Sequence, residues 1–120
     1  MGDQRSAAAL AKRSVYYDFD KSDLRPEARP VIEANARYLL AHPDVKARVE
    51  GNADERGSAE YNLALGQRRS DGVLKAMTLL GVPANHMEAV SFGKEKPKAA
   101  GHDETAWSEN RRSDIVYQSQ

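Results

Sequence analysis

The stretch EGNADERGSAEYNLALGQRRSDGV, residues Glu50–Val73, joins a predicted strand to a predicted helix through a charged loop. Just before the loop, VKARVE alternates apolar and charged residues, which indicates a strand with one buried face. Ser58 is a residue type that caps helix N-termini, and Gly81 suits the C-terminal end of the same helix. Between them, apolar residues recur at helical spacing, at Tyr61, Ala64, Leu65, Val73, Ala76, Met77 and Leu80.

The flanking segments predict the remaining elements. SVYYDFD, residues 14–20, and HMEAVSFG, residues 86–93, are read as strands, and RRSDIVYQ, residues 111–118, as a closing strand that carries an unexpected polar Ser113-Asp114 pair. A first amphipathic helix is predicted with Pro26 in its first turn and its end near Pro43. The residues that recur in it at helical spacing are Ala28, Val31, Ile32, Asn35, Leu39 and Leu40. In the long polar loop before the last strand, Asp103 could cap a short helical turn around Ala106 and Trp107.

The order of these elements predicts an α+β fold. Helices between strands imply crossover connections, so we expect neighbouring strands to be parallel and the connections to be right-handed. Two helices cannot cover both faces of a sheet. We therefore predict a two-layer sandwich, with a four-stranded mixed sheet, two main helices on one face, and the order β-α-β-α-β-β. Residues 14–120 form this one domain, and residues 1–13 are read as a polar, alanine-rich linker whose Met1-Gly2 looks like an added start.

Composition narrows the possible functions. Lys+Arg and Asp+Glu both number 18, which argues against nucleic acid as the main partner. Cysteine is absent, which excludes disulfides and thiolate chemistry, and no apolar run approaches the ~18 residues that a membrane span needs. His42, His86 and His102 lie in three separate turns without a second ligand at helical spacing, so we expect no metal site.

The charged loop allows three interpretations: an active site, an anion-binding loop or a solvated turn. An enzyme is disfavoured because the carboxylates lie among cations and serines, whereas a general acid needs an apolar pocket. Asp54 and Glu55 would repel a phosphate. A zwitterion fits better, with Asp54 taking an ammonium and Arg69 a carboxylate. From spacing alone, Arg69 could equally pair inside the protein with Asp54 or Glu50.

At these residues the sequence resembles the OmpA-like peptidoglycan-binding domain. The likeness covers about Val15 to Tyr117 and is carried by GNADERGSAEYNLALGQRRSDGV, SFGKEKP and ENRRSDIVY. Within the family, ADERGS-EYN and YYDFDKSDLR resemble the outer-membrane lipoprotein members most. The resemblance implies an OmpA C-terminal-like fold and non-enzymatic binding of the meso-diaminopimelate of the peptidoglycan stem peptide, without metal or cofactor.

The resemblance also implies roles for individual residues. Asp54 and Arg69 match the main ligand-holding pair, and Phe19 and Asp20 match a loop that closes over the ligand. Further lining positions match Arg56, Asn62 and Leu65. Asn52 stands where the family usually has His; an amide can imitate an imidazole hydrogen bond but cannot titrate. Arg111 and Arg112 match an NRR motif that we expect to form structural ion pairs.

The lipoprotein likeness implies a place on the periplasmic side of the Gram-negative outer membrane, a lipid anchor outside these residues, and a tether to the cell wall in the Tol-Pal system. TolB, with other Tol or outer-membrane proteins, is the expected protein partner, through a surface overlapping the peptidoglycan site. Three alternatives remain at this stage: the periplasmic tail of an OmpA-type porin, a MotB-like stator domain, and a protein-interaction module with a weakened wall site.

Overall fold

The structure, a computed structural model, describes residues 12–119. Their order agrees with the prediction, with a short helix added before the last strand. The elements are β1 (Ser14–Tyr16), α1 (Ala28–Ala41), β2 (Val45–Asn52), α2 (Ala59–Leu79), a 3₁₀ turn (Ala84–His86), β3 (Met87–Gly93), α3 (Glu104–Asn110) and β4 (Arg112–Ser119).

The four strands form one mixed sheet in the order β1-β4-β2-β3. β2 and β3 pair in parallel, with Val49 opposite Ala89, as expected for strands joined by α2. β4 is antiparallel to both β1 and β2, so β1 and β2 point the same way. The expectation that neighbouring strands are parallel is wrong for β4, which lies between β1 and β2 and is antiparallel to both.

Both main helices pack on one face of the sheet, as predicted. Ile32 and Leu39 of α1 and Val73 and Met77 of α2 share one core with alternate residues of the strands. The strand residues in that core are Val15, Ala47, Val49, Met87 and Ile115. Because successive strand residues point to opposite faces, these side chains all lie on the helix side, and the two-layer sandwich follows.

Local signals explain where the elements begin and end. Ser58 accepts a hydrogen bond from the Tyr61 amide at 3.0 Å, and Asp103 caps α3 through the Ala106 amide at 3.1 Å, as predicted. Gly81 follows α2 with a φ of 106°, a conformation that favours glycine. By contrast, α1 begins at Ala28, so the prediction that Pro26 lies in its first turn is wrong.

Strand β1 ends at Tyr16, earlier than the predicted Asp20. The chain turns instead, with the Lys21 amide donating to the Asp18 carbonyl at 3.2 Å, and Asp20 adopts a φ of 60°. Asp tolerates this left-handed conformation better than most residues. The shortened strand leaves residues 17–21 free to form one wall of the site described below.

The polar side chains of Ser113 and Asp114 in β4 form hydrogen bonds with β1 and with Tyr17, the residue after it. The Ser113 hydroxyl is hydrogen-bonded to the Tyr17 hydroxyl at 2.9 Å, inside the core. Asp114 accepts from the Ser14 hydroxyl at 2.6 Å and from Arg112 Nε at 3.0 Å. Both polar residues therefore join β4 to its neighbour, which the alternation of the strand could not show.

Lys12 and Arg13 belong to the predicted linker, residues 1–13, and lie among the described residues. Residues 1–11 lie outside the described residues. Lys12 and Arg13 contact the domain: Asn35 Nδ2 donates to the Lys12 carbonyl at 3.0 Å, and the Ile115 amide donates to the Arg13 carbonyl at 2.7 Å. These two hydrogen bonds hold the carbonyls of Lys12 and Arg13 against α1 and β4.

Candidate ligand-binding site

A cavity of about 400 Å³ opens where β2 ends and α2 begins. We call it the ligand cavity. Among the described residues, it brings together every residue predicted for the site except Asn52. Its lining consists of Phe19, Asp20, Ala53, Asp54, Arg56, Gly57, Tyr61, Asn62, Leu65 and Arg69.

Three segments supply these side chains. The turn after β1 carries Phe19 and Asp20, and the loop after β2 carries Asp54 and Arg56. On α2, the residues at spacings of three and four lie on one face, and those facing the cavity are Asn62, Leu65 and Arg69. The sequence reasoning missed Tyr61 at the mouth, although it stands one turn before Leu65 on the same helix.

Arg69 is 0% exposed, and its guanidinium is held by backbone carbonyls. Nη1 donates to Asn52 at 2.7 Å, Nε to Lys21 at 2.8 Å and Nη2 to Asp18 at 3.2 Å. The guanidinium carbon lies 4.8 Å from the centroid of the Tyr17 ring. Burial disfavours the charged form and lowers the pKa of Arg69 to about 10.

The alternative of an internal ion pair for Arg69 is wrong. Asp54 pairs with Arg56 at 2.8 Å, and Glu50 pairs with Arg48 at 2.9 Å. Within residues 12–119, no carboxylate forms a salt bridge with Arg69. A guanidinium has five N–H groups, so the three carbonyl contacts leave two for an anion.

Asp54 is 3% exposed and lies between two arginines. Its Oδ1 accepts from the backbone amide of Arg56 at 3.0 Å and from Arg56 Nε at 3.2 Å. Its Oδ2 accepts from Arg56 Nη2 at 2.8 Å and Arg111 Nη1 at 3.4 Å. Burial alone would raise the pKa of Asp54, but the hydrogen bonds and charge of Arg56, together with Arg111, lower it below its usual 3.8.

Arg56 is clamped between two aromatic rings. Its guanidinium carbon lies 3.8 Å from the Phe19 ring centroid and 4.0 Å from that of Trp107. The Trp107 indole in turn donates to Glu55 at 2.7 Å. Cation–π contacts of this kind fix an arginine over an aromatic face. Trp107 is the one tryptophan of the sequence and was missed as a supporting residue, since it lies far from the loop along the chain.

Arg111 and Arg112 form structural ion pairs, as expected. Arg111 Nη2 binds Glu104 at 2.7 Å and its Nε donates to the Tyr17 carbonyl at 2.9 Å. Arg112 pairs with Asp114 at 3.0 Å. Neither arginine lines the ligand cavity.

Asn52 lies behind the cavity wall. It is 2% exposed, and its Nδ2 donates to the Glu50 carbonyl at 3.0 Å. Its Oδ1 is buried and has no hydrogen-bond partner among the described residues. Its backbone carbonyl is the acceptor for Arg69 Nη1, so this position reaches the site through the main chain.

The charges of the ligand cavity balance. Asp20 and Asp54 face Arg56 and Arg69 across one small space. Asp20 is exposed and accepts a hydrogen bond from the Tyr61 hydroxyl, so it is the accessible carboxylate. Such a cavity suits a small group that carries both an ammonium and a carboxylate.

Two further findings concern residues 12–119. No group of three or more His, Asp or Glu side chains there is arranged to hold a metal ion. No helix of this part of the chain combines the length and the apolar character needed to cross a membrane.

Comparisons with known proteins identify the family. Residues 16–111 match the OmpA family. The chain is 49% identical over 114 residues to the peptidoglycan-associated lipoprotein of Haemophilus influenzae, covering 93% of this chain and 74% of that protein. It is 43% identical over 109 residues to the protein of the same name from Pseudomonas putida, covering 91% and 65%.

Solved structures of other proteins share the fold of this chain. The crystal structure of the peptidoglycan-associated lipoprotein from Burkholderia pseudomallei superposes with a TM-score of 0.89 at 54% identity, covering 92% of this chain and 93% of that one. The C-terminal domain of Helicobacter pylori MotB gives a TM-score of 0.81 at 20% identity, covering 88% and 83%, and shares the fold alone. The sequence resemblance is thus confirmed, and the chain belongs to the OmpA family.

Proposed function

We propose that this domain is a non-enzymatic anchor that binds peptidoglycan through the meso-diaminopimelate of the stem peptide. It thereby tethers the outer membrane to the cell wall, standing on the periplasmic side of that membrane with a lipid anchor in the full-length protein. The names of its relatives, peptidoglycan-associated lipoproteins, support the wall as the target. The diaminopimelate side chain ends in a free amino acid head, and the ligand cavity supports that choice by its chemistry.

The observation that carries the proposal is Arg69, a buried guanidinium on the cavity wall without a carboxylate partner among the described residues. Buried charges in proteins are normally paired, because an unpaired one costs several kcal/mol. The diaminopimelate carboxylate supplies the missing anion. Its ammonium faces the carboxylates of Asp20 and Asp54, with Asp20 contributing most because Asp54 already accepts from two arginines.

The other cavity residues shape the site. Phe19 is 53% exposed and lies beside the mouth, where its turn can cover the ligand. Asn62 Nδ2 donates to the Arg56 carbonyl at 2.8 Å and so fixes the loop to α2. Leu65 supplies an apolar wall for the methylene chain of the ligand. Asn52 lies outside the cavity lining and contributes through its backbone carbonyl, which accepts a hydrogen bond from Arg69.

Pelleting with purified cell walls tests the proposal. Sacculi whose stem peptides contain meso-diaminopimelate should carry the domain into the pellet. Sacculi with lysine at the same position offer the ammonium without the carboxylate, so binding should fall at least about tenfold, as expected when a buried charge loses its partner. Equal pelleting with both wall types would show that Arg69 does not read the carboxylate.

Asp20→Asn tests the ammonium contact without disturbing the fold. Asn tolerates the φ of 60° and keeps an acceptor for Tyr61. Loss of the charge should weaken binding of a diaminopimelate muropeptide about tenfold, since charge-assisted hydrogen bonds contribute ~1.5–3 kcal/mol. Asp23→Asn, an exposed carboxylate outside the cavity, is the matched control and should bind normally. The assignment of Asp20 is wrong if both variants behave alike.

We propose further that the domain works within the Tol-Pal system and contacts TolB through a surface that overlaps the cavity mouth. The exposed rings of Phe19 and Tyr61 at that mouth, 53% and 44% exposed, support a protein contact there. TolB and a diaminopimelate muropeptide should then compete in a titration. Simultaneous binding of both would contradict an overlapping surface.

A further inference from the structure

A second groove, of about 680 Å³, runs along the outer edge of β1, between α1 and the end of α3. We call it the β1 groove. It has no lining residue in common with the ligand cavity. Its lining consists of Lys12, Arg13, Ser14, Val15, Tyr16, Arg25, Glu27, Ala28, Val31, Lys98, Ser108 and Glu109.

The groove exposes the backbone of an edge strand. β1 pairs with β4 on one side only. On that side the Ile115 amide of β4 donates to the Arg13 carbonyl at 2.7 Å, and the Tyr17 amide donates at 3.0 Å to the carbonyl of Arg111, the residue just before β4. In an antiparallel pair the backbone groups of alternate residues point to opposite sides, so Arg13, Val15 and Tyr17 face β4 and the two residues between them face away. The N–H and C=O groups of Ser14 and Tyr16 therefore face the groove, and residues 12–119 supply no hydrogen bond to them.

The groove is cationic, although the whole chain has a formal net charge of zero. Four cations line it, Lys12, Arg13, Arg25 and Lys98, against the two carboxylates of Glu27 and Glu109. Arg25 and Lys98, 41% and 46% exposed, lie 3.5 Å from Glu27 and 4.0 Å from Glu109, so the excess positive charge corresponds to Lys12 and Arg13. This excess favours an acidic occupant.

The groove also offers apolar contacts beside the strand. Ala28 is buried and Val31 half-buried on the side of α1 that faces β1. Lys98 Nζ donates to the Tyr16 hydroxyl at 2.9 Å, which places a cation beside the Tyr16 side chain. An extended segment with alternating side chains could therefore direct apolar residues to α1 and acidic residues to the cations.

We propose that the β1 groove binds an extended, acidic segment of a partner protein, which adds to the sheet as a fifth strand beside β1. Ser14 and Tyr16 supply two donors and two acceptors to its main chain, and the four cations select for negative side chains. This contact is separate from the proposed wall site, because the two cavities share no residues. The domain can accordingly hold the cell wall and this partner at once.

Nuclear magnetic resonance of the ¹⁵N-labelled full chain tests the proposal, with a capped hexapeptide of alternating Glu and Val as the probe. On binding, the Ser14 and Tyr16 amides should shift downfield and exchange with solvent at least about tenfold more slowly, as donors newly bonded in a sheet do. A hexapeptide of alternating Lys and Val is the matched control and should cause neither change. Equal responses to both peptides, or shifts confined to the ligand cavity, would overturn the proposal.

Charge reversal gives the second test. The double variant Lys12→Glu, Arg25→Glu should bind the acidic peptide at least about tenfold more weakly, because each surface ion pair contributes up to ~1 kcal/mol and the reversed charges also repel the peptide. Lys46→Glu with Lys75→Glu changes the net charge equally at exposed positions outside the groove and should leave affinity unchanged. Two other occupants of the groove would overturn the proposal. Residues 1–11 would occupy it if both amides are protected without peptide and lose that protection when residues 1–11 are removed. A second copy of the chain would occupy it if sedimentation shows a dimer that the charge reversal abolishes.

Discussion

Arg69 shows how far single residues could be interpreted from the sequence. Its position one turn after Leu65 indicated the edge of the core, and the structure places it on the cavity wall. Its three carbonyl acceptors come from Asp18, Lys21 and Asn52, which are distant in sequence. Helical spacing fixes which residues share a face, but it contains no information on which carbonyls a guanidinium meets.

Replacing Arg69 by Lys should destabilise the fold as well as the site. An ammonium cannot reach three carbonyls in a fork, so buried acceptors lose their donors at a cost of about 2–3 kcal/mol. Urea unfolding followed by circular dichroism measures this loss. Arg68→Lys, at the exposed neighbouring position, is the control and should change stability by less than about 0.5 kcal/mol. Similar values for the two variants would contradict the structural role of Arg69.

Asp54 should govern stability in acid. Its pKa is lowered in the folded state, mainly because Arg56 outweighs the effect of burial, so the unfolded chain takes up the proton first. The stabilisation is therefore complete above the usual value of 3.8 and is lost as the pH falls below it. Asp54→Asn should be less stable at neutral pH and show a flatter decline as the pH falls below 3.8.

Unfolding by urea at a series of pH values measures this dependence. Glu104→Gln is the matched control, because Glu104 is an exposed carboxylate that also binds Arg111 and has a lowered pKa. It should retain most of the acid-side decline, since Asp54 remains. A decline as steep in Asp54→Asn as in the parent chain would contradict the assignment.

At the scale of elements, α2 crosses the sheet at two glycines. A Cβ on Gly51 of β2 would overlap the carbonyl of Gly66 on α2, and a Cβ on Gly66 would overlap the Ser91 hydroxyl of β3. The close approach holds the N-terminal half of α2 against the carboxyl ends of β2 and β3. It thereby places Leu65 and Arg69 on the wall of the ligand cavity.

Gly66→Ala should destabilise the protein by about 3 kcal/mol, since overpacking at a backbone contact forces the helix away from the sheet. Thermal and urea unfolding measure the change. Gly72→Ala is the matched control on the same helix: its Cβ would lie 4.0 Å from the nearest atom, so it should stabilise by ~0.5–1 kcal/mol through helix propensity. Equal effects at the two positions would show that the crossing is not close.

The elements themselves were largely predictable, and their arrangement only in part. The alternation in Val45–Glu50 indicated a strand and the helical spacing in α2 a helix, and the parallel β2–β3 pair follows from the helix that joins them. Nothing in RRSDIVYQ shows that β4 inserts between β1 and β2. Pairing over such a distance along the chain depends on both edges of a strand, whereas sequence period reports only its two faces.

At the scale of the whole molecule, the two cavities occupy different parts of one sheet. The ligand cavity lies where the inner strand β2 meets α2, and the β1 groove follows the edge strand β1. The sequence indicated most of the first because Asp54, Arg56, Asn62, Leu65 and Arg69 cluster in one loop and the helix after it, and the family resemblance added Phe19 and Asp20 from the turn after β1. It gave no sign of the second, because the groove is built from β1, α1 and the segment around Lys98, which only the fold brings together.

The start of the folded unit gives a prediction for the whole domain, which we propose begins at Lys12 instead of at the predicted residue 14. A chain starting at Ser14 loses the carbonyls that accept from Asn35 and Ile115, and should be less stable by about 1–2 kcal/mol than one starting at Lys12. Urea unfolding of the two chains measures the difference. Arg13→Ala in the longer chain keeps the carbonyl at position 13. It removes the contact between the Arg13 guanidinium and the Tyr117 ring, whose centroid lies 5.7 Å away, so stability should fall by less than about 0.5 kcal/mol. Equal stability of the two truncated chains would return the boundary to residue 14.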